Sequence, residues 1–139
     1  MAQRAVQKCS RYAPFSTKPN AINFNYYGSE KPLRKYPNPI IISIKKWTDI
    51  ANVTWPATNL FNENTALHHF ANMIDSDATA VGCYSAFCDD RASTACVFSQ
   101  PKARIGTLVY PPGRPCKTGG KCSNHKNGVC EFGLCVITA

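Results

Sequence analysis

The segments TALHHFANMI at residues 65–74, TAVGCYSAF at 79–87 and STACVFS at 93–99 decide how the rest of the chain is read. In the first, Ala66, Phe70 and Met73 recur along one face, with Leu67 and Ile74 beside them, which predicts a helix from about Thr65 to Ile74. The other two are short runs of small, β-branched and aromatic residues, and Cys88-Asp89-Asp90-Arg91-Ala92 between them predicts the turn of an antiparallel hairpin. Across such a hairpin the Cys83 and Cys96 side chains can meet. His68 and His69 are neighbours on the helix and point about 100° apart, so they cannot both face one metal from it.

Working outward, Ile41, Ile44, Trp47 and Ala51 recur at three- and four-residue spacing after Pro39, which predicts an amphipathic helix ended by Asn52 to Pro56. Before it, Ser10 to Pro39 carries Pro14, Pro19, Pro32, Pro37 and Pro39, a density that prevents a continuous helix or central strand and predicts a long ordered loop. Met1 to Cys9 has no apolar signal-peptide core and reads as a short helix bearing Cys9. From Pro101 the composition shifts to Gly, Pro and Lys, and half the cysteines crowd into Cys116 to Cys135. That segment has too few apolar residues for its own core and is expected to be held by bridges. The expected division is a main domain over 1–110 and a cysteine-rich extension over 111–139.

At 139 residues the chain is one domain in size, and 44% hydrophobic against 17% charged residues fits a folded globular chain. Its longest apolar stretch, Ile40-Ile41-Ile42, is far short of a membrane span. The net charge of +8 is uneven: residues 1–46 sum to +8, residues 47–100 to −5 and residues 101–139 to +5. A solvated basic surface or a general affinity for polyanions both fit. No basic helix, zinc module or aromatic-basic motif accompanies the charge, which argues against nucleic acid.

Eight cysteines point to a disulfide framework and an oxidising compartment. The spacings Cys83-x4-Cys88-x7-Cys96 and Cys116-x5-Cys122-x7-Cys130-x4-Cys135 lack a C-x2-C pair, so zinc is the weaker alternative. Eight cysteines allow 105 pairings, among which spacing alone does not choose. Asn52-Val53-Thr54 is a glycosylation sequon. The cysteines favour secretion while the start shows no leader, so the chain is either intracellular or an incomplete or processed piece, and the second is preferred. His68, His69 and His125 are the available bases, but no G-x-S-x-G or H-E-x-x-H motif is present, and no catalytic residue is assigned.

His69-Phe70-Ala71-Asn72-Met73, then Val81-Gly82-Cys83, Cys88 and Cys96-Val97-Phe98, resemble the second half of the CAP superfamily, or SCP domain. The tail, with Gly106, Tyr110, Gly113, Pro115-Cys116 and the cysteines to Cys135, resembles that of nematode activation-associated secreted and venom-allergen-like proteins. The resemblance implies an α+β fold, an α-β-α sandwich with an antiparallel sheet. It also implies bridges Cys9–Cys88, Cys83–Cys96, Cys116–Cys130 and Cys122–Cys135. It further implies that the family's first long helix lies upstream of Met1, which would leave one sheet face short of cover and an apolar patch exposed.

The family's cleft holds two His and two Glu, which bind zinc in some members. Position by position only His69 survives: Phe15, beside Ser16, stands for the first His, Ile22 for the Glu of Gly-Glu-Asn, and Ile50 for the Glu three residues after Trp47. Asp75 replaces the usual Trp two residues after Met73. Zinc takes three or four protein ligands, so the metal cleft is expected to be lost and no cofactor is assigned. His69 is instead expected to be satisfied by a backbone carbonyl, with Trp47 and Phe70 in the core. A partner surface is expected at Tyr26, Tyr27 and Tyr36, interleaved with Lys31, Arg34 and Lys35. The implied function is a secreted, non-enzymatic interaction protein, a parasite product that binds a host protein or sulfated glycan. The alternative is a sterol or lipid carrier using the greasy cleft at Phe15, Ile22 and Ile50.

Overall fold

The computed structural model describes residues 1–13, 19–28, 38–50, 53–62, 64–89, 91–122 and 127–137. The hairpin is the centre of the fold: strands β2 (Val81–Cys88) and β3 (Arg91–Pro101) pair antiparallel with Cys88 opposite Arg91. The strands therefore pair up to Cys88 and Arg91, a tighter connection than the five residues read from the sequence. Asp89 adopts a left-handed φ of 51°, which a short polar side chain tolerates. Cys83 stands directly opposite Cys96, and the two sulfurs are bonded.

On the other side of β3 lies β1, Asn20–Tyr27, giving an antiparallel sheet of order β1-β3-β2. This strand corrects the reading of Ser10 to Pro39 as one long loop. Its eight residues fall between Pro19 and Pro32, and it sits at a sheet edge, which the flanking prolines permit. Its alternation is inverted relative to hydropathy: Ala21, Asn23 and Asn25 form the buried row, while Ile22, Phe24 and Tyr26 are only half-buried.

Helix α2 (Pro39–Thr48) starts at an Asn38 cap whose side-chain oxygen accepts from the Ile40 and Ile41 amides at 3.0 and 3.4 Å, with Pro39 in the first turn. It buries Ser43 and Trp47, and Ile44 joins them against the sheet. Ile41 is 51% exposed, so the inward stripe is not the one led by Ile41, and the helix ends at Thr48, before the expected stop. The third helix, α3 (His68–Ile74), follows a 3-10 turn over Thr65–Leu67 whose Asn64 cap accepts from the Ala66 amide at 3.0 Å. The opening helix, α1 (Ala2–Val6), buries Ala2 and Val6 against β2 and β3. It ends before Cys9, which is bonded to Cys88.

Strand alternation makes this arrangement three layers. Cys96 and Cys83 lie in the row that packs on α2, whereas Cys88 and Ser93, tied to Cys9 and to the Ser10 carbonyl, lie in the other. One apolar cluster sits between α2 and the sheet (Ala21, Trp47, Cys96, Phe98) and another behind α3 (Phe61, Leu67, Ala71, Ala103, Val109). The outer strand β2 leaves Val81, Tyr84 and Phe87 exposed. The tail forms a separate ribbon of β4 (Gly128–Glu131) and β5 (Leu134–Ile137), with Cys130 bonded to Cys116 and Cys135 to Cys122.

Candidate functional site

Helix α3 distributes its side chains to different partners. His68 stacks on Phe61 at 4.9 Å between ring centroids, and its Nε2 lies 3.4 Å from the Ala103 carbonyl oxygen. His69 turns instead to the sheet, where its Nδ1 lies 3.1 Å from Asn23 Oδ1 and its ring packs 5.8 Å from that of Trp47. The two rings therefore address different neighbours. Sequence reasoning expected His69 to rest on a backbone carbonyl. It is His68 that does so, while His69 is held by a side-chain amide.

That amide is the hub of a buried network. Asn23 Oδ1 also accepts from Asn72 Nδ2 at 3.0 Å, and Asn23 Nδ2 donates to the His69 backbone carbonyl at 2.8 Å. Gln100 Nε2 donates to the Asn72 carbonyl at 2.8 Å, and Asn72 Oδ1 accepts from the Ala103 amide at 3.4 Å. The Asn23 oxygen accepts, so the geometry fits a His69 that carries a proton on Nδ1. Burial, followed by His68, Lys46 and Lys102, holds the His69 pKa below the ordinary 6.5. Burial and then Lys102 lower that of His68, against a smaller opposing effect of the Ala103 carbonyl.

Among the described cleft positions, Ile22 and Ile50 do not converge on His69. Ile22 lies in the opposite row of β1 from Asn23. Ile50 packs against the cluster behind α3 and lines an apolar cavity of about 440 Å³ with Trp55, Phe70, Ile74 and Tyr110. Phe70 is thus half-buried in a cavity wall, edge-on to Trp55 at 5.5 Å, where a core position was expected. Trp47 is fully buried. A second cavity of about 450 Å³ lies beside His68, lined by Phe61, Thr65, Lys102, Arg104 and Ile105 among others. Asp75 is partly exposed, and burial is the main cause that raises its carboxyl pKa.

A divalent metal at His69 would need further ligands, and among the described residues its polar neighbours are Asn23 and Asn72, which already bond each other. This donor set does not fit zinc. Among the described residues, the Cys116, Cys122 and Cys135 sulfurs cluster within 4.8 Å, but each belongs to a disulfide and offers no thiolate.

Of the expected partner surface, Tyr27 is committed to the fold: its hydroxyl lies 2.7 Å from the buried Ser43 hydroxyl and donates to the Pro39 carbonyl at 3.3 Å. Tyr26 lies in the half-buried row. Lys31, Arg34, Lys35 and Tyr36 lie outside the described residues, as do Phe15, Asn52 and His125. Sequence reasoning missed Asn72 and Gln100, and it missed Trp55 and Tyr110 as a stacked pair at 6.1 Å. Asn23 was visible only as the last residue of the family's Gly-Glu-Asn.

An antiparallel sheet between helices, joined by Cys9–Cys88 and Cys83–Cys96 and followed by a stapled tail, defines a CAP-type sandwich. Residues 1–99 match the model of the CAP, cysteine-rich secretory protein family, and the chain belongs to that family. It is 35% identical over 69 residues to Ancylostoma secreted protein from Ancylostoma caninum, covering 50% of this chain and 16% of that protein. Over 137 residues it is 26% identical to Scoloptoxin SSD552 from Scolopendra dehaani, covering 94% of this chain and 64% of the toxin. Among solved structures, Na-ASP-1 superposes with a TM-score of 0.79 at 26% identity, over 99% of this chain and 34% of that one. BmVAL-1 superposes with a TM-score of 0.83 at 23% identity, over 99% and 72%. The chain is thus a CAP-family protein similar to parasite secreted proteins and a venom protein, and it spans less than two thirds of the two sequence relatives.

Proposed function

We propose that the protein acts outside the cell as a non-enzymatic interaction protein of parasite type, binding a host protein or sulfated glycan. The observation that carries this reading is the closure of His69 by Asn23, with Ile22 and Ile50 at positions where the family resemblance puts acids. Four disulfides and the names of the relatives, one a secreted protein and one a toxin, support the extracellular setting. The basic segment with Lys31, Arg34 and Lys35 is the proposed contact for an anionic partner. Titration with heparin should show saturable binding that falls at least about tenfold when the three are changed to Ala, since exposed charge pairs are each worth up to about 1 kcal/mol. Unchanged affinity would move the site elsewhere. A zinc titration with stoichiometric heat would overturn the loss of the metal cleft.

The apolar cavity at Ile50, Trp55, Phe70, Ile74 and Tyr110 favours a second reading, a sterol or lipid carrier. Trp55 lines that cavity while Trp47 is buried in the sheet cluster, so in a Trp47→Phe background the fluorescence reports on the cavity alone. Saturable change on sterol addition supports the carrier, and none removes it.

A further inference from the structure

The β4–β5 ribbon ends in a two-residue turn at which Phe132 (φ 51°) and Gly133 (φ 82°) both take left-handed conformations. Such a turn favours Asn-Gly, and a Phe at its first position is conformationally costly. Yet the Phe132 ring packs on almost nothing: it is 95% exposed, and Leu134 beside it is 72% exposed. All four residues of β5 are exposed, and Val129, Leu134 and Val136 share one exposed apolar face that leads to the tip, while Gly128 and Cys130 in the other row of β4 are buried. Disulfides from Cys130 and Cys135, with bonds from Gly119 to the Cys130 carbonyl and from Cys130 to the Gly120 carbonyl, hold it in place.

Cations lie on the segments beside the ribbon. Pro115 lies against the turn, 3.4 Å from where a β-carbon on Gly133 would sit, which brings Arg114 beside it. Lys121 is bridged to Val129, and Lys117 belongs to the turn laced to β4. Arg114, Lys117 and Lys121 are exposed, and the ribbon itself carries one acid, Glu131. We propose that this hairpin is a membrane-docking tip that inserts Phe132 and Leu134 into the surface of an anionic lipid bilayer, with Arg114, Lys117 and Lys121 at the headgroups. Phe132 and Leu134 project at a free tip, and exposed cations stand on the segments that adjoin the ribbon, the pairing of apolar and basic groups that an anionic bilayer surface takes. Interfacial insertion of apolar groups backed by basic residues is additive in these two attractions.

The test uses the full chain with its disulfides intact and vesicles of phosphatidylcholine with and without phosphatidylserine. Wild type should sediment with the phosphatidylserine vesicles. Phe132→Asn, which keeps the charge and suits the turn, should bind at least about tenfold more weakly, because a buried Phe is worth at least that factor. In Phe132→Trp the new indole should shift its emission to the blue on vesicles and be quenched by brominated acyl chains. Equal binding of wild type and Phe132→Asn, or an indole emission that does not move, would overturn the proposal. Wild type that ignores both vesicles would also overturn it, and Phe132-dependent retention on lipid-free cell-surface protein would then assign the tip to a protein partner.

Discussion

The sandwich and the tail are built by different means. The sandwich buries two apolar clusters and a row of amides, so its strands are fixed by what they exclude from water. The tail ribbon leaves every residue of β5 in solvent and is fixed by covalent bonds. In the chain-entropy account, a loop closed over 14 residues contributes about 3 kcal/mol and one over 79 residues about 4.5. The tail therefore rests mainly on its bridges, while Cys9–Cys88 adds to a core that already exists. The apolar residues of the tail, freed from making a core, are available at its surface.

The comparison breaks most visibly if both tail bridges are removed by changing Cys116, Cys122, Cys130 and Cys135 to Ala. Amide protection over residues 116–137 should vanish by hydrogen exchange, while the sandwich unfolds within a few degrees of wild type. A smaller effect is expected inside the sandwich from Asn23→Ala, which strips partners from His69 and Asn72 together. About 2–3 kcal/mol should be lost in denaturant titrations, with the tail still protected.

A third effect is pH dependence, confined to the sandwich. His68 and His69 have lowered pKa values, so the unfolded chain binds protons more readily than the native one. Stability is then fully present above about 6.5 and is lost as the pH falls below it, and the midpoint of thermal unfolding should drop between pH 7.5 and 5. His69→Gln should flatten that dependence. The smallest effect is Ile41→Gln, expected within about 0.5 kcal/mol of wild type because Ile41 faces water. A loss of 2 kcal/mol there would restore the inward stripe read from periodicity.

How much was legible follows the same division. The Cys83–Cys96 hairpin and α3 could be read because their patterns are local: alternation, helical spacing and a turn between them. Strand β1 could not, since its buried row is Ala21, Asn23 and Asn25, and amides count as core only when partners 46 and 49 residues away are known. At the cleft the residues offered Ile50 and Ile22 where the resemblance puts acids, but not the amides that hold His69. The network of Asn23, Asn72 and Gln100 is assembled by tertiary contacts with no motif of their own. The exposed Phe132 was equally hidden, because hydropathy alone assigns a Phe flanked by Cys130 and Cys135 to an interior.

The bond between Cys9 and Cys88 also governs what a protease can achieve. Any single cut between those residues leaves the two fragments covalently joined, so the nicked molecule keeps its full mass until it is reduced. Proteolytic damage can thus accumulate in the backbone without dispersing the fold.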